Sequence, residues 1–217
     1  MIDTLITAAP LLLEAVGQTL LLAAISIVAA LILGFFLAEL SILGGRFSGF
    51  LVRFLVEAIR GIPVLVFIFL TYYILPVMGI RIDKFYVAVI ALAVFFSAFS
   101  TEIFRGSFRS ISRGQTESGK AMGMSTWQIQ IIVLLPQVIR TSLPALMNLA
   151  AIIIKATSLV SIIGVWELTL ATNELVMRSM APFTFFIVAM IIYFIICYSI
   201  VRSAQHLLRR MNLSQKP

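Results

Sequence analysis

The chain has 217 residues, 61% of them hydrophobic and 12% charged, with a formal net charge of +7 and a mean hydropathy of +1.11. That leaves too little polar surface to cover a soluble domain, so the composition excludes a soluble globular protein and predicts an all-α, polytopic membrane protein, read as a single transmembrane domain over 1–217. The basic excess, 16 Lys and Arg against 9 Asp and Glu, is what cytoplasmic loops of such a protein carry, and it does not call for a nucleic-acid partner.

One cysteine, Cys197, offers no disulfide within the chain, and the start MIDTLITAAPLLLEA lacks the basic lead of a cleaved signal peptide. Residues 1 to 13 read as a short helix at the membrane interface, broken by Pro10. Val16 to Leu37 is the first run able to cross a bilayer of ~30 Å. Within it, Ala30 and Gly34 form a small-xxx-small pair suited to close helix approach. The second span, Phe50 to Met78, contains Glu57, Arg60, Gly61 and Pro63. Glu57 and Arg60 either pair on one helical face or both lie at the cytoplasmic edge. Gly61-Ile62-Pro63 predicts a kink. The third span runs from about Phe85 to Phe104.

Glu102 to Pro136 is the longest polar interruption, and it reads as a folded cytoplasmic device rather than a linker. Ser112 with Gln115, and Ser125 with Gln128, each have the spacing of a reciprocal helix cap. Gly123 suits a left-handed stop, so a short helix from about Arg113 to Met122 is expected between two spans. Gly114 to Lys120 has the glycine and lysine spacing of a phosphate loop, but Ala121 stands where a Ser or Thr would hold magnesium and no strand precedes it. With His206 the sole histidine and no Cys/His cluster or paired-carboxylate cleft, no enzyme constellation is found.

From Gln128 to Val165 the chain is too long for one straight crossing, and Pro136 and Pro144 are the expected bends. The crossing itself is read as Leu143 to Val165. Its polar residues Asn148, Lys155, Thr157 and Ser158 either face a substrate route or are satisfied locally, with Lys155 snorkelling or paired to Glu167 and the hydroxyls bonded back to their own helix. Trp166 to Ala181 reads as an outer loop carrying Glu167, Glu174 and Arg178. Pro182 opens the last span, Phe183 to Val201, ahead of the basic tail HLLRRMNLSQKP. Five spans with the N-terminus outside put eleven of the sixteen basic residues on the inner side, which places the polar device and the C-terminus in the cytoplasm.

Glu117-Ser-Gly119-Lys120-Ala121-Met-Gly123, followed after nine residues by Val133-Leu-Leu-Pro136, resembles the E-A-A-x-x-x-G-x(9)-I-x-L-P signature of ATP-binding cassette importer permeases. Further segments are similar to the polar amino acid uptake subfamily: Glu57-Ala-Ile-Arg60-Gly61-Ile-Pro63, Glu102-Ile-Phe-Arg105-Gly106, Leu135-Pro136-Gln-x-x-Arg140 with Pro144 and Asn148, and Lys155-Ala-Thr157-Ser158-Leu159. Phe67 stands where a glutamine is common, and Ala156 replaces the usual aspartate of Lys-Asp-Thr-Ser.

The resemblance implies a type I importer permease fold in a bacterial inner membrane, with about five transmembrane helices and a cytoplasmic coupling loop at about 105–136. Arg113, Gln115, Glu117, Gly119, Lys120, Ala121 and Gly123 would then engage a separate ATPase that holds the ATP and magnesium, this chain holding no cofactor. Gly119 and Gly123 would allow that partner close approach. A second permease copy or paralogue and an extracytoplasmic binding protein complete the implied system, in contact with membrane lipid, and the implied cargo is polar amino acids or derivatives such as opines. The alternative class, an ion-coupled secondary transporter, calls for an internal repeat that the sequence does not display.

Overall fold

Once water is removed, a chain this apolar must satisfy its backbone hydrogen bonds within each segment, and nearly every described residue is helical. The computed structural model describes residues 2–210, with side chains from 5 to 203. It orders them as α1 (Ile2–Leu43), α2 (Gly45–Arg60), α3 (Val64–Val77), α4 (Lys84–Ser110), α5 (Arg113–Ala121), α6 (Thr126–Gln128), a π-helical stretch (Ile129–Leu134), α7 (Leu135–Ala156), a 3₁₀ stretch (Thr157–Ile163), α8 (Leu168–Ser179) and α9 (Pro182–Arg210). Among the described residues, four helical stretches are long and apolar enough to cross a membrane, or five if α2 and α3 together make one. The side chains of the basic tail lie outside the described residues.

The central helix is α4, opened by Asp83, whose carboxylate accepts the Phe85 N–H at 2.8 Å. Its most apolar window is 72% buried, against 11% for α9, so α4 belongs to the core and α9 to the periphery. α1 approaches α4 through small residues. A Cβ on Gly34 would overlap the Ser100 hydroxyl and come within 2.8 Å of the Ser97 carbonyl oxygen. Ser100 Oγ donates to the Ala30 carbonyl at 2.7 Å. The Ala30–Gly34 pair is therefore the point of closest α1–α4 approach, continued by Phe35 and Ala38 against Phe104. Around it pack Leu22, Ile68, Leu92, Phe95, Phe96, Leu149 and Ile153.

Four expectations are corrected. Pro10 does not end a separate interfacial helix, since α1 runs through it without a break. Ala8 and Leu12 on either side pack against Leu168, Leu175 and Phe185, contacts that offset the ~3 kcal/mol a buried-helix proline costs. Gly61-Ile62-Pro63 is more than a kink: α2 and α3 diverge by 104°. Pro63, held extended at φ −61 and ψ 134, bars Ile62 from continuing the helix.

Nor do Pro136 and Pro144 break their span, because helical structure continues from Thr126 to Ile163. Ahead of Pro136 the turn widens, with the Leu135 N–H donating five residues back to the Gln130 carbonyl. This wider turn relieves the clash that a proline ring makes with an ordinary helix. Finally, the expected loop from Trp166 to Ala181 folds as α8.

Glu167 shows why that segment is ordered. It is fully buried. Its Oε1 accepts the Leu170 N–H at 2.8 Å as the cap of α8, while Oε2 accepts the Tyr193 hydroxyl of α9 at 2.8 Å. Next to it, the Leu168 N–H donates to Thr19 Oγ1 of α1 at 3.0 Å. One turn thus joins three helices. Burial pushes the Glu167 carboxyl above its usual range, opposed by the hydrogen bonds from the Thr169 backbone, Tyr193 and Leu170.

Gly34→Val tests the α1–α4 contact. Overpacking there should destabilise the detergent-solubilised protein by about 1–3 kcal/mol, read as a lower thermal midpoint, and Ser100→Gly in the same chain should recover part of the loss.

Candidate functional site

Two surfaces gather the residues singled out in the sequence. The first is built around α5. At its C-terminal end the Met124 N–H donates to the Gly119 carbonyl at 3.0 Å and the Gly123 N–H to the Lys120 carbonyl at 2.9 Å. This is a Schellman stop, which needs the left-handed Gly123 at φ +77. Ser125 then starts the next helix as expected: its Oγ accepts the Gln128 N–H at 3.3 Å and its own N–H reaches Gln128 Oε1 at 2.8 Å. The first expected cap is not made. Ser112 has no side-chain cap bond, and its backbone carbonyl instead accepts the Gln115 N–H at 3.1 Å.

Arg113, Gln115, Glu117, Lys120 and Ala121 are all exposed on α5. Gly119 differs from its expected role. It is buried, and a Cβ there would lie 2.8 Å from Cγ1 of Ile129. Within this chain, the close approach it permits is to the π-helical stretch. Gly123, by contrast, has no atom of this chain within 4 Å of an added Cβ, and what the fold requires of it is backbone handedness.

Sequence reasoning missed the next link in that stretch. Gln130 is 5% exposed, and its Nε2 donates to Oε1 and Oε2 of Glu39 on α1 at 3.0 and 2.9 Å. Two lone polar residues inside apolar runs were the available signal.

The second surface is a groove flanked by α3, α4 and α7. Cavities of about 400 and 430 Å³ share Phe99, Leu149 and Ile152 and so run together. Arg60, Glu102 and Asn148 line one end, Lys155 and Ser158 the other. Glu57 and Arg60 do not pair. The Arg60 guanidinium lies 5.3 Å from the Phe99 ring centroid, an attraction available to a cation facing an aromatic wall, while Glu57 points out exposed. Glu102 pairs with Arg105, which is itself buried.

Lys155 makes no ion pair with Glu167, whose carboxylate is committed to α8 and α9. Thr157 and Ser158 bond back to the carbonyls of Ile154 and Lys155, each at 2.7 Å. Asn148 and Lys155 are both exposed, seven residues apart on one face of α7. Phe67 fills the expected glutamine position by packing on Phe95 at 5.6 Å between ring centroids. Ala156 contributes a small apolar wall to the groove. Arg140 and Pro136 are exposed away from both surfaces' linings.

The packing of α5 predicts a specific pair of outcomes. Gly119→Val should loosen α5 and lower the protein's thermal midpoint by an amount corresponding to about 1–3 kcal/mol, whereas the same change beside Ile129→Ala should be better tolerated, both read by thermal unfolding.

Residues 30–213 match the binding-protein-dependent transport system inner membrane component family. The glutamine transport system permease protein GlnP of Escherichia coli (strain K12) is 33% identical over 208 residues, 95% of either chain. The nopaline transport system permease protein NocM of Agrobacterium fabrum (strain C58) is 35% identical over 211 residues, 93% of this chain and 88% of that one. The crystal structure of an amino acid ABC transporter with histidines contains a chain similar to this one at a TM-score of 0.87 and 28% identity, over 95% of this chain and 96% of that one. An inward-facing MetNI methionine ABC transporter shares the fold at a TM-score of 0.81 and 19% identity, over 92% and 95% of the two chains. With its capped helix between two spans and its bent α2–α3 pair, this chain belongs to the inner membrane components of binding-protein-dependent transport systems, the permeases of ATP-binding cassette importers.

Proposed function

We propose that the chain admits a polar amino acid or a close derivative to the cytoplasm, driven by an ATPase that docks on α5. The observation that carries this reading is the build of α5: a helix of nine residues, stopped by Gly123, braced on Ile129 through Gly119, with Glu117 and Lys120 free to meet a partner of mixed charge. Nine residues are too few to be helical alone, so the caps and the brace serve a segment that must keep its shape under load. ATP and magnesium belong to the docked subunit.

The groove from Arg60 to Lys155 is the proposed route for the cargo. Its exposed Asn148 and Lys155 would be costly against hydrocarbon, which supports a second permease, a copy or a paralogue, closing over that face. The names of GlnP and NocM, a glutamine and a nopaline permease, support a cargo bearing an α-amino acid head. Lys155 suits its carboxylate, and the Arg60–Phe99 end, with Glu102 beside it, offers charges of both signs for the remainder. An extracytoplasmic binding protein delivers that cargo at the α8 end, and the N-terminus is outside with α5 in the cytoplasm of a bacterial inner membrane.

Cross-linking tests the docking. Glu117→Cys and Lys120→Cys should each trap the ATPase subunit in co-expressing membranes, and ATP-dependent uptake should vanish when that subunit is absent. Gly123→Val places a β-branched residue in a left-handed conformation costing about 1–2 kcal/mol, so uptake should fall by about tenfold while membrane insertion is kept. Uptake that persists on an ion gradient without ATP would overturn the reading.

A further inference from the structure

A helix that docks on a motor moves a membrane bundle only through the atoms tying it to that bundle. α5 is joined covalently on both sides: Ile111 and Ser112 lead into it from α4, and the chain leads from Gly123 through α6 and the π-helical stretch into α7. A further, non-covalent tie runs to α1 through the Gln130–Glu39 pair. Gln130 follows Ile129, the side chain on which Gly119 rests, and it reaches across 91 residues of sequence to the last turns of α1. Glu39 has no cation beside it: the ion pairs among the described residues are Glu102–Arg105 and Glu174–Arg178. Its carboxylate is held by the Gln130 amide alone.

The setting of this pair matters as much as its bonds. A π-helical turn has an irregular hydrogen-bond ladder and gathers at functional positions, and this one lies between the docking helix and a straight span. α1, on the other side of the bond, is gripped at Ala30 and Gly34 by α4, near its middle by the Thr19–Leu168 bond ahead of α8, and towards its start by the packing of Ala8 and Leu12 on Leu168, Leu175 and Phe185. A displacement of Gln130 is therefore handed to a helix fastened at several points along its length.

We propose that Glu39 and Gln130 are a positioning pair that makes α1 follow the docking helix during the ATP cycle. The inference rests on the docking of α5 proposed above. With the pair broken, α5 and α7 move on the compliant π-helical turn while α1 lags, and ATP hydrolysis is spent without transport.

The test uses the permease purified with its ATPase in proteoliposomes, with Cys197→Ser and spin labels on Ser112→Cys and Ile32→Cys, both exposed positions. Distances are measured without nucleotide and after vanadate trapping. In the parent the labels keep one distance in both states. Gln130→Leu and Glu39→Ala should each make that distance change on trapping, and uptake of radiolabelled glutamine per ATP hydrolysed should fall about five- to tenfold, the range of a modest coupling between sites. The exchange Glu39→Gln with Gln130→Glu restores an amide facing a carboxylate, and it should return both readouts to the parent values.

Single variants that behave as the parent overturn the inference, as does an exchange that behaves as the singles, since loss of packing alone would then account for them. A parent that does not retain the ATPase overturns the docking of α5 and this inference with it. Retained ATPase with an indifferent α1 overturns this inference alone.

Discussion

The grip of α4 on α1 is the contact on which the remaining helices depend. Lipid tails are as apolar as leucine, so helices in a bilayer gain nothing by hiding hydrocarbon from water and must hold by close packing and hydrogen bonds. Gly34 supplies the closeness and Ser100 the bond to Ala30. Every other helix is placed against that pair or against its neighbours. α2 lays Val52 and Val56 beside Ala98, α3 sets Ile68 into the core, and α7 brings Leu149 and Ile153 to it. α9 comes last and leaves Phe183, Phe194 and Tyr198 outside.

That frame gives the proposed docking segment, α5, something firm to push. α5 is held by three local devices that do not depend on one another: a left-handed glycine stop, a reciprocal cap on the following helix, and a glycine-to-isoleucine brace. Because each acts within about ten residues, their stiffness comes from the chain nearby and not from a partner. The π-helical stretch then solves a different problem. Pro136 would distort a regular helix there, and the wider turn absorbs it, so the segment from Thr126 to Ile163 stays continuous. One local irregularity serves both the proline and the junction with Glu39.

What could be read from the sequence follows the range of each interaction. Gly123 and the Ser125–Gln128 cap were legible because their partners lie within a few residues. The family resemblance was legible for the same reason, resting on short motifs. Ser112 shows the limit even there: the cap spacing is present, yet the backbone carbonyl takes the bond in place of the hydroxyl. The prolines misled because each was judged by its intrinsic cost, without the packing of Ala8 and Leu12 or the π-helical turn that offsets it. Gly119–Ile129, Glu39–Gln130 and Glu167–Tyr193 depend on how helices face one another, which periodicity in an all-apolar chain does not specify. Glu167 in particular read as an outer-loop charge, and burial in a three-helix joint reversed that.

The polar residues of the described spans sort into three groups, and the sorting separates scaffold from site. Thr19, Thr101, Thr157 and Thr172 return bonds to their own helices three or four residues back, which costs the fold little. Ser100, Gln130, Tyr193 and again Thr19 bond across to another element, and these positions locate the joints. Ser26 Oγ and Trp166 Nε1 are buried without a partner and stand outside the pattern. The third group, Asn148 and Lys155, has neither a hydrogen bond nor an ion pair and lies exposed on one face of α7. A membrane chain does not keep an amide and an ammonium unpaired on an outward face for its own stability. On the proposed route, their free valences would belong to what the groove meets, and the second permease closing over that face would bring the complementary groups.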